Sequence, residues 1–306
     1  MRLPQRTSIA LGVLAALVWS PHFQLFTNLG ADGPPTLVAY FYVLLGAASA
    51  LLLFLFLGGR MDELNAFKRR ETYFILLAAF GGYGFWVLRS LTIGAVPASR
   101  AHLLFYAAPL AAGVLSFFSA ERADGRTFFG LVLGFVGCIM MVPPGAGESA
   151  GLRGLLLGIG AAGCWGIFWL LARPLVREEK VLPVAALVTG IGAACLLVTC
   201  LSTGAGIFDL RPGQLVTALL GGAVTVGLMM ALWLRCLAGM AVPLAAGLWY
   251  LALFFSGVWS FFGFGGRAPD LWWLLGGGVL VLLGLHSALS GRRRRGATMS
   301  DVIRGG

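Results

Sequence analysis

Residues 88–97 read "LRSLTIGAVP", and residues 234–243 read "LRCLAGMAVP". Six of the ten positions are identical, and the two stretches stand 146 residues apart. The same shift carries "LGVLAALVW" from Leu11 onto "LGIGAAGCW" from Leu157, keeping Leu, Gly, two alanines and the tryptophan. After Pro97 the register slips by about two, so that "SFF" at Ser116 meets "SFF" at Ser260. Oily sequences match by chance, but a shared register at two distant motifs argues against chance. The chain therefore reads as two copies of one unit, residues 1–146 and 147–290, with a tail at 291–306.

Composition tells what the unit is. Of 306 residues, 59% are hydrophobic and 11% charged. A soluble domain is about half apolar and a quarter charged. This chain lacks the polar surface to cover itself in water but is ordinary for a bilayer. Its 45 glycines fit helices packed closely in lipid. A span needs roughly 20 mostly apolar residues. Ten such runs are readable, near 8–28, 35–57, 72–93, 98–119, 127–143, 152–172, 182–203, 213–236, 242–263 and 270–290. They are too long for the alternating strands of a membrane β-barrel. Arg2 and Arg6 before the first run resemble a signal peptide, but no small-residue cleavage site comes after it, so the run is read as a retained span. Five spans per unit is an odd number. The second copy must then start from the opposite membrane face. The expected fold is an all-α integral membrane protein of ten transmembrane helices, arranged as two inverted five-helix repeats.

Basic residues orient it. With both termini in the cytoplasm, seventeen of the 22 Lys and Arg fall inside and five outside, in accord with the positive-inside rule. The net charge of +10 is thus a topology signal. "GRRRRG" at 291–296 fits a disordered cytoplasmic anchor beside anionic lipid better than a nucleic-acid contact. The expected location is the cell (plasma or inner) membrane, multi-pass.

Each unit opens with a small-residue-rich helix carrying a tryptophan, "ALVWSPHF" and "AGCWGIFW". The stretch "ASRAHLLFYAAPLAAGVLSFFSAER" has a mid-helix proline, Pro109, and ends in a glutamate, Glu121. "GLVLGFVGCIMMV" comes next. Together these features resemble the EamA-type branch of the drug/metabolite transporter superfamily. The tyrosine-bearing second span "YFYVLLGAASALLL" is similar to that of its aromatic amino acid exporters. The second unit departs from the pattern, having no proline or glutamate equivalent to Pro109 and Glu121. The resemblance implies alternating access to a central cavity lined by spans 1, 3, 4, 6, 8 and 9. It also makes amino acids or related compounds the leading substrate class, with export as the expected direction.

Candidate cavity residues can be named on those spans. Gly12, Ala15, Trp19, His22 and Phe26 share one helical stripe, and the 146-residue shift turns them into Gly158, Ala161, Trp165, Phe168 and Ala172. His102, Tyr106, Pro109 and Gly113 share another; Gly82, Trp86 and Arg89 a third, with Tyr83 adjacent. Trp169, Trp249 and Tyr250 complete the expected substrate-binding set. Pro21 and Pro109 each remove a backbone donor and are expected to kink their helices beside it. Packing is the plainer reading of such aromatics, and Trp272 and Trp273 belong to an interfacial belt. His22 and His102 are polar residues within spans, suited either to a ligand or to an interhelical hydrogen bond. Arg89 and Arg235 stand near helix ends, and snorkelling to opposite faces is expected, with a gating role as the alternative.

Other chemistry is excluded by what the spans lack. No acidic residue lies mid-span, so proton coupling would run through His22 or His102, and facilitated diffusion is simpler. The five cysteines have no metal spacing and read as packing residues; no metal, cofactor or phosphate loop is expected. An enzyme would need membrane carboxylates or a glycine-flanked serine, and neither is present. The expected partners are a small-molecule substrate and the bilayer, for a monomer or homodimer without nucleic acid. The alternatives are efflux of purines or drugs, and a structural or sensory membrane protein that moves no solute.

Overall fold

The computed structural model describes residues 4–22, 25, 36–119, 121–142, 151–178, 180–262 and 269–304. Phe26 of the first stripe lies outside them. The described residues are helical and contain no strand. Seven helices are long and apolar enough to cross a membrane. These are α2 (Thr36–Leu57), α3 (Glu71–Ile93), α7 (Leu152–Glu178), α8 (Val181–Ser202), α9 (Pro212–Gly239), the pair α10 (Val242–Leu248) with α11 (Leu251–Phe261), and the apolar part of α12 (Leu271–Arg304). Shorter apolar helices are α1 (Gln5–Trp19) and α6 (Gly125–Met141). Between α3 and α6 run α4 (Ala98–Phe105) and α5 (Ala108–Ser116). The chain is a multi-pass membrane protein. The basic stretch after residue 291, expected to be disordered, continues the helical backbone of α12 to Arg304.

Both prolines act where the sequence placed them. Helix α1 stops at Trp19, and the Leu17 carbonyl that Pro21 cannot serve accepts from the Ser20 hydroxyl at 2.7 Å. Pro109 has no N–H for the Phe105 carbonyl, and the helix breaks just before it. There, Tyr106 and Ala107 bond back three residues, to Leu103 and Leu104 at 3.0 and 3.1 Å, with the Tyr106 N–H also reaching the His102 carbonyl at 3.4 Å. A break at Trp249–Tyr250 divides α10 from α11 with no proline beside it. Trp249 and Tyr250 again bond back three residues, to Ala246 and Gly247. Within α3 and α9 the helix widens to π turns, at Ala78–Gly84 and Ala223–Leu228.

Helix partners cross between the two halves of the chain. Helix α2 packs along α8 and α9, while α8 packs along α2 and the π turn of α3. Helix α1 lies against the C-terminal half of α9, and α7 against that of α3. The longest contact joins α6 to α12. It is glycine-mediated: a Cβ on Gly130 would stand 2.4 Å from the Gly284 carbonyl oxygen, and one on Gly137 2.5 Å from that of Gly277. In lipid, helices gain little from burying apolar surface, so such close backbone approach supplies dispersion contact instead. The α3–α8 crossing is equally tight. A Cβ on Gly192 would sit 2.2 Å from the Gly82 carbonyl oxygen, backbone that cannot move aside. Gly192→Val is therefore expected to lower the melting temperature in detergent and shift the protein toward aggregate on size exclusion, while Gly163→Ala, where a Cβ meets open space, leaves both unchanged.

Candidate functional site

The crossing of the halves gathers six of the nine tryptophans into one buried cluster. Trp19 stacks on His22 with centroids 4.3 Å apart and planes 10° from parallel. It also meets Trp86 at 6.1 Å, Trp165 at 6.5 Å and Trp249 at 5.4 Å. Trp249 then touches Trp165, Trp169 and Trp233 at 6.0, 5.5 and 5.0 Å. Aromatic pairs at such spacing contribute about 0.5–1.5 kcal/mol each beyond area burial. The expected set is thus largely brought together: Trp19, His22, Trp86, Trp165, Trp169 and Trp249 share one core. Tyr106 and Tyr250 are buried at the two helix breaks. His102 lies at the edge, 6.3 Å from the Phe105 ring.

Tyr83 does not join them. Its hydroxyl lies 3.0 Å from Thr199 Oγ1, whose own proton goes to the Cys195 carbonyl at 2.9 Å, so Tyr83 donates and ties α3 to α8. Trp86 is fixed by its indole N–H, which donates to the Gly81 carbonyl at 3.1 Å in the π turn. His22 is fixed likewise. Its Nδ1 lies 3.0 Å from Thr225 Oγ1 in the other π turn, and Thr225 donates to the Gly221 carbonyl at 2.7 Å. Thr225 therefore accepts from His22, which places a proton on Nδ1.

Arg89 overturns the snorkelling expectation. It is 1% exposed, and its guanidinium carbon lies 5.0 Å from the Phe105 ring centroid, 5.4 Å from those of Trp19 and Tyr40, and 5.8 Å from those of Phe85 and Trp86. The planar cation sits in an aromatic cage and hydrogen-bonds to Tyr40. Electron-rich ring faces offset part of the cost of removing the charge from water. Arg235, its repeat partner, is exposed. Equivalent positions in the repeat thus have different depths.

Sequence reasoning also missed Tyr40, Phe85, Phe105, Thr225 and Trp233. For Trp233 a signal existed: it stands 147 residues after Trp86, one step off the register in use. Thr225 had none, because only the π turn turns it toward His22.

A second polar group lies on the segments assigned to the cytoplasmic side. Arg173, 4% exposed, pairs with Glu121 and donates from Nε to the carbonyls of Met240 at 2.7 Å and Leu237 at 3.2 Å, capping the end of α9. Arg177 joins Glu121 at 3.5 Å. Glu63 accepts from Arg60 at 2.7 and 2.9 Å and from Lys180 at 2.6 Å, and Arg70 pairs with Glu178. The Arg60 hydrogen bonds, then that from Lys180, hold the Glu63 carboxyl below its ordinary 4.5. Away from both groups, a cleft of about 540 Å³ opens between the start of α1 and α12, lined by Arg6, Ile9, His286 and Leu289. Among the described residues no cluster of His, Cys, Asp and Glu could hold a metal ion.

Comparison with known proteins agrees with this arrangement. A protein of known crystal structure superposes with a TM-score of 0.76 over 94% of this chain and 98% of its own, at 21% identity, which speaks for the fold. The uncharacterized transporter YvbV of Bacillus subtilis (strain 168) is 24% identical over 201 residues, 65% of this chain. The matched region spans 64% of that relative's length. Residues 6–142 match the EamA-like transporter family, so the first half of this chain is similar to a family of transporters.

Proposed function

We propose that this protein is a ten-span carrier of two inverted five-span units, which moves a small amphipathic metabolite by alternating access. The observation that carries this reading is the aromatic core contributed by both halves, with Trp19 and Trp165 at equivalent places on the first and sixth spans. The inverted arrangement is supported by the paired packing. Helix α1 meets α9 as α7 meets α3, the π turns recur about 145 residues apart, and the two broken helices are interrupted at Tyr106 and Tyr250, 144 residues apart. Gly130–Gly284 and Gly137–Gly277 relate the fifth and tenth spans in the same sense. The seven long helices, α1, α6 and the broken pair α4–α5 make up the ten spans.

In this reading the ion-paired face is a closed cytoplasmic gate. Solute reaches the aromatic core from the other face, and the pairs part when the halves exchange conformations. Family resemblance makes amino acids and their derivatives the first solutes to try, in the direction of export across the plasma membrane. With no carboxylate in the aromatic core among the described residues, facilitated diffusion is a simpler reading than proton coupling.

The test is counterflow in proteoliposomes with and without a pH gradient. Solute exchange is expected in the wild type, with rates little changed when the gradient is collapsed. Trp19→Ala and Trp165→Ala should each cut exchange by about tenfold or more at similar expression. A reporter after Arg295 should read cytoplasm and one inserted between residues 144 and 150 the outside; both on one side would end the inverted reading. Specific binding of a partner protein, with no exchange of any solute, would favour the structural or sensory alternative.

A further inference from the structure

Resting on that reading, we infer that the core recognises its solute as an organic anion: a carboxylate carried on an aromatic or similarly flat apolar body. Three observations converge on this chemistry.

The first is charge. Arg89 places a permanent cation among five aromatic rings deep in the protein, while no Asp or Glu stands in that core among the described residues. The core is therefore biased toward one sign of solute. A protonated amine entering it would meet the guanidinium and find no carboxylate to pair with among the described residues.

The second is hydrogen-bonding capacity. The indole N–H groups of Trp165, Trp169 and Trp233 and the hydroxyl of Tyr250 are buried with no hydrogen-bond acceptor among the described residues. An indole nitrogen can only donate. All three tryptophans touch the Trp249 ring, so three unsatisfied donors are gathered around one ring. Each keeps the full desolvation penalty of a buried donor until an acceptor arrives. A carboxylate supplies about four acceptor sites without bringing a competing donor.

The third is shape. Flat rings surround the cation, and Trp19 adjoins both groups: its ring is 5.4 Å from the guanidinium carbon and 5.4 Å from the Trp249 ring. A solute that pushes between these rings trades ring–ring contact for ring–solute contact, which a flat apolar body does at least cost. Guanidinium and indole donors would then share the carboxylate, since Arg presents a planar fork matched to it.

The experiment uses three probes with one ring system and different charge: indole-3-acetate (anion), tryptophan (zwitterion) and tryptamine (cation). Binding to the purified full chain in nanodiscs is measured by calorimetry, and exchange in proteoliposomes by counterflow. Indole-3-acetate is expected to bind at least about tenfold more tightly than tryptamine, with tryptophan between them. Arg89→Gln should erase that order. Trp169→Phe and Trp233→Phe keep a ring but remove a donor, and each should weaken the acetate about threefold to tenfold while leaving tryptamine unchanged. Equal or tighter binding of tryptamine, or binding of none of the three, overturns the inference. So does an acetate affinity untouched in both phenylalanine variants, since the donors would then serve water alone. If Arg89→Gln fails to fold, the probe order in the wild type and the two phenylalanine variants still decide. Anion-selective binding without exchange would sink the carrier reading and keep this one; exchange of tryptophan and tryptamine that excludes the acetate would do the reverse.

Discussion

Arg173→Met should be the most damaging single substitution on the ion-paired face, lowering stability by about 3–5 kcal/mol. The arginine is 4% exposed and serves three acceptors together: the Glu121 carboxylate and the carbonyls of Leu237 and Met240. Methionine fills similar volume but offers none of them a donor. Glu121, itself 24% exposed, then loses its close partner, and the last carbonyls of α9 lose their cap. Arg177→Met is the control. That side chain is 47% exposed and reaches Glu121 only at 3.5 Å, so its loss should cost under about 1 kcal/mol. Thermal unfolding of both variants in the same detergent separates the two cases, and equal melting points would remove Arg173 from its anchoring role. Glu121→Gln tests the gate with less disturbance to folding. Cys236 is fully buried one residue before the Leu237 carbonyl that Arg173 caps. In a chain whose other four cysteines are alanine, its labelling by a maleimide should quicken several-fold in Glu121→Gln if the pair holds that face shut.

How far the sequence carried the reading depended on what kind of feature was being read. The positions of the long apolar helices were legible because lipid imposes one rule on each, and α2, α8 and the apolar part of α12 fall within a few residues of the apolar runs. The helix break before Pro109 was legible because a missing N–H is local covalent chemistry. The break at Tyr250 was not, since no proline marks it. It emerges only from the packing of α10 and α11, and the shared "SFF" register, which aligns Tyr106 with Tyr250, was the one hint of it. The tryptophan cluster was mostly legible, because helical stripes and the 146-residue shift located Trp19, Trp86 and Trp165. The π turns were hidden. Each inserts a residue into the helical period and re-aims the side chains C-terminal to it. For that reason Thr225 was passed over, while Trp233 was missed because it stands one position off the 146-residue shift that Leu88 and Leu234 keep.

Depth was the harder quantity, and the two repeated arginines make the point. Distance from a helix end placed Arg89 and Arg235 alike, yet one lies in the core and the other on the surface. Neighbours decide it: Trp19 from α1, Tyr40 from α2 and Phe105 from α4 all converge on Arg89. That difference yields the last expected result. Arg235→Lys should behave as the wild type in expression, melting and exchange, because an exposed long stem with a charged tip reaches water equally well as lysine. Arg89→Lys keeps the charge and should still fail. An ammonium is more strongly hydrated than a guanidinium, so burying it costs more, and its tetrahedral donors can neither lie flat among five rings nor meet a carboxylate at two points. Loss of one charge-assisted hydrogen bond corresponds to about 1.5–3 kcal/mol, or roughly tenfold to a hundredfold in solute affinity. The measurement is solute affinity and counterflow rate for both lysine variants, normalised to folded protein on size exclusion. Full activity in Arg89→Lys would show that a bare positive charge suffices and that the planar fork has no part in recognition. Loss in Arg235→Lys would instead return a gating role to the surface arginine.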